Sequence, residues 1–269
     1  MTEHNPRTRR LSRSGRWLRG AVGLAILVAA SEILGRAGIV DRSYLPPASD
    51  ILVRAVGLAA DPDFQTNLLS TIKAWALGLA IAVAGGVPLG LLIGGVPAVG
   101  VALRPILEFL RPIPSVALIP LVGLILGAGI RTESTLIVYA SLWPVLYNTI
   151  YGLQDVDPVA KETLRTFGFG RLAVMWRVSL PAAAPFIATG IRLAAAVALI
   201  LAVGTEILSG FGQGIGIFIA QAENGTDSAK DVLAGTVWAG ALGLIINALL
   251  VQAEQRLFRW HAAQSGGRS

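Results

Sequence analysis

The chain of 269 residues carries a formal charge of +6, with 54% hydrophobic residues, 14% charged residues and no cysteine. A soluble domain is roughly one-quarter charged, so a large water-soluble core is excluded. The missing thiols exclude disulfides, zinc–thiolate sites, iron–sulfur clusters and c-type haem, and the two histidines, His4 and His261, fall in the tails.

Uncharged runs set the architecture. Segments 74–96, 112–130, 134–154 and 232–253 contain no Asp, Glu, Lys or Arg, and each approaches the ~20 residues a helix needs to cross a bilayer. Two further runs carry isolated charges: 20–40 with Glu32 and Arg36, and 182–205 with Arg192. The expected fold is an all-α membrane protein of six transmembrane helices. An Arg-rich tail over 1–19 and a second tail over 254–269 flank a membrane domain over 20–253.

In chain order, the tail Arg7, Arg9, Arg10, Arg13, Arg16 and Arg19 reads as a cytoplasmic anchor. A signal peptide cleaved near Val28-Ala29-Ala30 is the weaker reading, because five spans follow. In the first helix Glu32 and Arg36 stand i, i+4 with the acid first, the favourable order. Pro46-Pro47 then breaks the chain, and Ser49 or Asp50 is placed to cap a short interfacial helix through Ala60. The second span, 70–96, carries Gly78, Ala82, Gly86, Gly90 and Gly94, a small residue every fourth position that permits close helix contact. The third span is expected to leave the cytoplasm around Arg104 to Arg111 and to be broken by Pro112, Pro114 and Pro120. Arg131-Thr132-Glu133 reads as an outer turn, and the fourth span, 134–154, returns. A charged island over 155–180 precedes the fifth span, which runs from Pro181 to about Ser209. A glycine-rich outer loop with Glu223, Asp227, Lys230 and Asp231 leads into the sixth span. Fifteen basic residues fall inside or at inner ends under this topology and five outside, Arg36, Arg42, Arg54, Arg131 and Lys230, which supports both termini being cytoplasmic.

The island is amphipathic. Asp157 is placed to cap a helix with Pro158 at its first position. Val159, Ala160, Thr163, Leu164 and Phe167 form one apolar face with Glu162 and Arg165 beside it, and Gly168 stands where a left-handed stop is expected. A second short helix is expected over about 171–178. Periodicity alone also admits a helix lying flat on lipid.

The spacing Glu162, Gly168, Val178, Leu180, Pro181 resembles the loop signature of bacterial ABC-transporter permeases, with Thr163 and Leu164 for its two alanines and Val178 for its isoleucine. Tyr44-Leu45-Pro46-Pro47-Ala48-Ser49-Asp50, the stretch Arg111-Pro112-Ile113-Pro114-Ser115-Val116-Ala117-Leu118-Ile119-Pro120-Leu121, Gly190-Ile191-Arg192-Leu193 and Glu206-Ile207-Leu208 are similar to segments of importers for sulfonates, taurine and nitrate. Ser115 departs from a common proline. The resemblance implies a transport subunit of the bacterial inner membrane rather than an enzyme. It implies a homodimer, two separate ATPase subunits that bind ATP and Mg, and an extracytoplasmic binding protein. It makes Asp157, Val159, Ala160, Glu162, Thr163, Leu164, Arg165, Phe167 and Gly168 the ATPase-coupling residues. No nucleic-acid partner is expected, and the lipid bilayer is itself a partner.

No phosphate-binding loop is available, since that motif needs a Gly-Lys pair and Lys73, Lys161 and Lys230 follow Ile72, Ala160 and Ala229. The rival class is an ion-coupled secondary transporter, which needs intramembrane ionisable groups. Glu32, Lys73, Arg192 and Glu206 are the candidates. Tyr139, Tyr147, Asn148, Thr189, Thr205 and Glu206 are candidate groups of a translocation path. All but Glu206 have a plainer reading as interhelical hydrogen bonders, and Glu206 lies near an outer end.

Overall fold

The computed structural model describes residues 13–258 except 39, 40, 42, 128, 211, 224, 226 and 227. The expected charges Arg7, Arg9, Arg10, Arg42, Asp227, Arg259 and Arg268 and both histidines lie outside the described residues. Among the described residues there is no strand. The helices are α1 (Arg13–Ala37), α2 (Ala48–Leu58), α3 (Pro62–Gly95), α4 (Pro97–Leu110), α5 (Ile119–Leu126), α6 (Ile130–Gln154), α7 (Pro158–Thr166), α8 (Arg171–Val174), α9 (Leu180–Ser209), α10 (Ile215–Ala222) and α11 (Ser228–Leu257).

α3, α6 and α9 form the core, and small residues explain why they approach so closely. A Cβ on Gly78 would meet Ile137, one on Gly86 would meet Val145, one on Gly90 Thr149, and one on Gly94 Leu153 and Ile150. Both residue numbers rise together along this contact, so α3 and α6 run parallel. α9 runs antiparallel to α6: Gly190 packs on Asn148 and Gly152 on Ala183. Its face contributes the buried Ala183, Ala194, Ala195, Ala198 and Ala202, which leave room for Trp75 Nε1 to donate to the carbonyl of Ala195 at 3.0 Å.

The parallel α3–α6 pair decides how the proline-rich segment is used. The chain leaves α3 at one end of the bundle and enters α6 at the other, so α4 and α5 together make the return crossing. They are bent by 74° and joined by Arg111–Pro114 and a 3-10 turn (Ser115–Leu118). Five long helices, α1, α3, α6, α8–α9 and α11, supply the other crossings. The fold is therefore the expected six-crossing helical one, with the third crossing broken.

Several local expectations are corrected. α2 is not capped by Ser49 or Asp50. Glu32 of α1 does this instead, its Oε2 accepting from the Ser49 backbone N–H at 2.9 Å and Oε1 from the Ser49 hydroxyl at 3.0 Å while also pairing with Arg36 at 2.5 Å. α3 begins at Pro62, earlier than expected, because Asp61 caps it through the N–H groups of Asp63 and Phe64. The third crossing begins at Pro97, well before Arg104. Arg131, Thr132 and Glu133 belong to the first turn of α6, with Thr132 and Glu133 buried. No separate helix ends near Val178: α8 passes through a π-helical turn (Met175–Ser179) directly into α9.

One end of the bundle carries α7. The other is closed by α2 and α10. There Phe64 packs edge-on against Phe218 with ring centroids 5.0 Å apart, Trp238 Nε1 donates to the Ala55 carbonyl at 2.8 Å, and Arg54 pairs with Asp231.

Candidate functional site

α7 stands beyond the end of α6 as a capped nine-residue helix. Asp157 accepts from the Val159 N–H at 2.8 Å, and Pro158 occupies the first turn, where its missing N–H costs nothing. The far end closes with Gly168 at φ +83°. Its N–H donates to Arg165 O at 2.9 Å and that of Phe169 to Leu164 O at 3.1 Å, the Schellman pattern of a helix stop. Lys161 Nζ donates to the Leu153 carbonyl at 3.0 Å and ties α7 to α6. The apolar face divides in two. Ala160 and Leu164 are half-buried, whereas Val159, Thr163 and Phe167 are exposed, Phe167 at 77%. Exposed Leu172 of α8 and Trp176 of the π-helical turn extend the apolar surface. Within that face Ala160 and Leu164 are the part covered by the chain itself, and Val159 and Phe167 the part left open.

A cavity of about 620 Å³ opens between α3, α4 and α6 in the half of the bundle nearer α7. Arg104 and Glu108 of α4 and Arg111, the residue that caps its C-terminus, line it at i, i+4 and i+7. Tyr147 and Tyr151 face them from α6. Arg104 pairs with Glu108 at 2.8 Å, and the Arg111 guanidinium lies 4.7 Å from the centre of the Tyr147 ring.

A second cavity of about 380 Å³ lies between α5, α6 and α9 near the α10 end. Glu133 and Thr205 are both buried on its wall. The Thr205 hydroxyl has no hydrogen-bond partner among the described residues.

Beside it Glu206 is fully buried but fully engaged. Its Oε1 accepts from the Thr71 hydroxyl and its Oε2 from the Gly216 N–H, both at 2.8 Å. Thr71 Oγ1 in turn accepts from the Ile215 N–H, and Asn67 Oδ1 from the Gly214 N–H, each at 2.8 Å. These bonds satisfy donors that open α10. Side chains on Gly214 or Gly216 would collide with Glu206. Among the described residues no group of three or more His, Asp or Glu side chains is placed to hold a metal.

Residues 86–259 match the family described as the binding-protein-dependent transport system inner membrane component. This chain belongs to that family. It is similar to the taurine transport system permease protein TauC of Escherichia coli, 29% identical over 245 residues and covering 88% of each chain. It is 28% identical over 250 residues to a putative aliphatic sulfonates transport permease protein SsuC of Bacillus subtilis, covering 93% of this chain and 90% of that one. It is also 28% identical over 255 residues to the nitrate import permease protein NrtB of Synechocystis, covering 89% of this chain and 91% of its relative. These relatives are transport components rather than enzymes. The fold matches a chain of the MetNI methionine ABC transporter at a TM-score of 0.57 and 18% identity, covering 74% of this chain and 97% of that one.

In this inner membrane component the candidate path residues scatter. Tyr147 lines the larger cavity and Thr205 the smaller. Tyr139 donates to the Leu110 carbonyl at 2.8 Å, and Asn148 to Pro144 O at 2.8 Å within α6. Thr189 bonds Pro185 O and Glu254, and Glu206 serves α10. Sequence reasoning passed over Arg104, Glu108, Arg111, Tyr151 and Glu133 as site groups. The i, i+4, i+7 spacing of the α4 charges and the i, i+4 spacing of Tyr147 and Tyr151 were signals that could have found most of them.

Proposed function

We propose that this chain is the permease subunit of an ATP-driven importer for a small oxyanion-bearing solute, of the taurine, aliphatic sulfonate or nitrate kind. The names of three relatives support the substrate class. The observation that carries the coupling role is α7 itself, a rigidly capped helix off the end of the bundle with Val159 and Phe167 exposed. Apolar side chains held out on a short fixed helix suit insertion into a groove of a partner ATPase, with Glu162, Thr163 and Arg165 at the rim. Ala160 and Leu164 seat the helix, and Asp157 and Gly168 hold its shape. The α7 end and both termini then face the cytoplasm, and the α2–α10 end meets the binding protein.

Two copies of the chain assemble around the path. Arg104, Glu108 and Arg111 are exposed on α4, and charged side chains inside a bilayer face a bundle interior or a water-filled passage rather than lipid. A second copy covering this face would enclose it. ATP and Mg belong to the ATPase partners, whose closure moves α7 and shifts the permease between states of different affinity.

The test is reconstitution with a partner ATPase and binding protein from the same cell, followed by uptake of taurine, alkanesulfonate and nitrate. ATP- and binding-protein-dependent uptake of at least one is expected. Uptake driven by a proton gradient with this chain alone would overturn the reading in favour of a secondary transporter.

A further inference from the structure

We propose that Arg111, held against Tyr147, is an anion-binding station in the inner half of the translocation path. The inference rests on the reading of this chain as an oxyanion importer.

Tyr139 stands fifteen residues before the end of α6 at Gln154 and Tyr147 seven before it, which places them about 22 Å and about 10 Å from that end at 1.5 Å per residue. The Leu110 carbonyl accepts from the Tyr139 hydroxyl, and the Arg111 guanidinium sits on the Tyr147 ring. The end of α4 therefore lies level with the middle of α6 and the Arg111 guanidinium about 10 Å in from the α7 end, not at the inner end where the sequence placed Arg111. Within a membrane-spanning bundle a guanidinium held there faces water or a counter-charge rather than lipid.

The acid on the same face, Glu108, is taken by Arg104, and Arg111 has no carboxylate within ion-pair distance among the described residues. Its cation–π seat fixes the planar group without neutralising it. A guanidinium presents paired N–H donors that match the oxygens of sulfonate or nitrate. The cavity of about 620 Å³ is large enough for either ion with water. Tyr151, its ring centre 6.0 Å from that of Tyr147, extends the wall toward the α7 end. The Arg104–Glu108 pair one turn further inward presents a nearly neutral surface past which the anion can leave.

The absence of cysteine provides a test that needs no knowledge of the transported solute. A Leu107→Cys reporter lies one helical turn before Arg111 on the cavity wall. In the assembled transporter in nanodiscs, its labelling rates with a sulfonate-bearing and a trimethylammonium-bearing methanethiosulfonate are compared, each normalised to a free thiol. A single cation this close favours the anionic reagent and disfavours the cationic one, so the ratio should fall on the order of tenfold in Arg111→Gln and persist in Arg111→Lys. Tyr147→Leu keeps the charge but frees the guanidinium and should lower the ratio in part. An unchanged ratio in Arg111→Gln, or an unchanged ratio in Tyr147→Leu should Arg111→Gln not assemble, overturns the proposal. So does a reporter that neither reagent reaches. A transporter with the predicted charge preference that imports none of taurine, alkanesulfonate or nitrate would leave the station standing and overturn the substrate reading alone.

Discussion

Gly90→Ala tests how tightly α3 and α6 are joined. The added methyl would lie 2.6 Å from Thr149 Cβ, 2.8 Å from its Cγ2 and 3.0 Å from the Leu146 carbonyl oxygen. Thr149 has little freedom to turn away, because its hydroxyl donates to Val145 O at 2.7 Å. The helices must part or shift. Overpacking of this kind costs about 1–3 kcal/mol, and for a chain this size each kcal/mol lowers the thermal midpoint by about 2–4 °C. Gly85→Ala, one residue from Gly86 in the stripe, meets nothing nearer than Leu142 Cδ1 at 3.9 Å and should leave the midpoint within about a degree or two. The assay is the thermal unfolding midpoint of the purified permease in detergent. Equal midpoints for the two variants would refute the packing argument. The larger Gly86→Leu and Gly90→Leu should prevent assembly altogether.

Glu206→Ala leaves the buried Gly216 N–H without its acceptor, a loss of about 1–3 kcal/mol, while the Thr71 hydroxyl keeps the Asn67 carbonyl at 3.3 Å. A lowered midpoint with early proteolysis near α10 is expected, and a wild-type digestion pattern would count against that role. Glu32→Ala should loosen α2, seen as faster hydrogen exchange at the Ser49 amide; unaltered exchange would mean that Ser49 needs no cap. For topology, Thr166→Cys should resist an impermeant thiol reagent in intact cells while Glu223→Cys reacts. The opposite pattern would invert the orientation.

Features with a local cause were legible in the sequence. Asp157, Pro158 and Gly168 define α7 almost unaided, because caps and stops depend on neighbours within a turn. The four-residue spacing of Gly78, Ala82, Gly86, Gly90 and Gly94 marked a helix contact, and Pro112, Pro114 and Pro120 marked a broken crossing. What escaped depends on distant partners. Glu32 caps a helix seventeen residues away. Glu133 reads as a turn residue until α5 and α9 wall it in. Leu164 and Phe167 share one periodic face, and only the return of the chain beside α7 through α8 and the π-helical turn separates the half-buried one from the exposed one. Arg111 looks like an ordinary inner-end arginine until α4 is seen to stop level with Tyr139, near the middle of α6. Moving Arg104 and Arg111 off the inner count leaves the sign of the basic asymmetry unchanged.

Phe167→Asp reads out whether α7 couples the permease to its ATPase. Phe167 is exposed at 77% and touches little of its own chain, so the permease should fold normally. Full burial of such a side chain in a partner groove contributes about 1.5–3 kcal/mol, and a carboxylate in its place adds an uncompensated buried charge. Copurified ATPase and binding-protein-stimulated ATP hydrolysis in proteoliposomes should both collapse, with a far smaller loss for the rim change Arg165→Ala. Wild-type levels of both in Phe167→Asp would contradict the account.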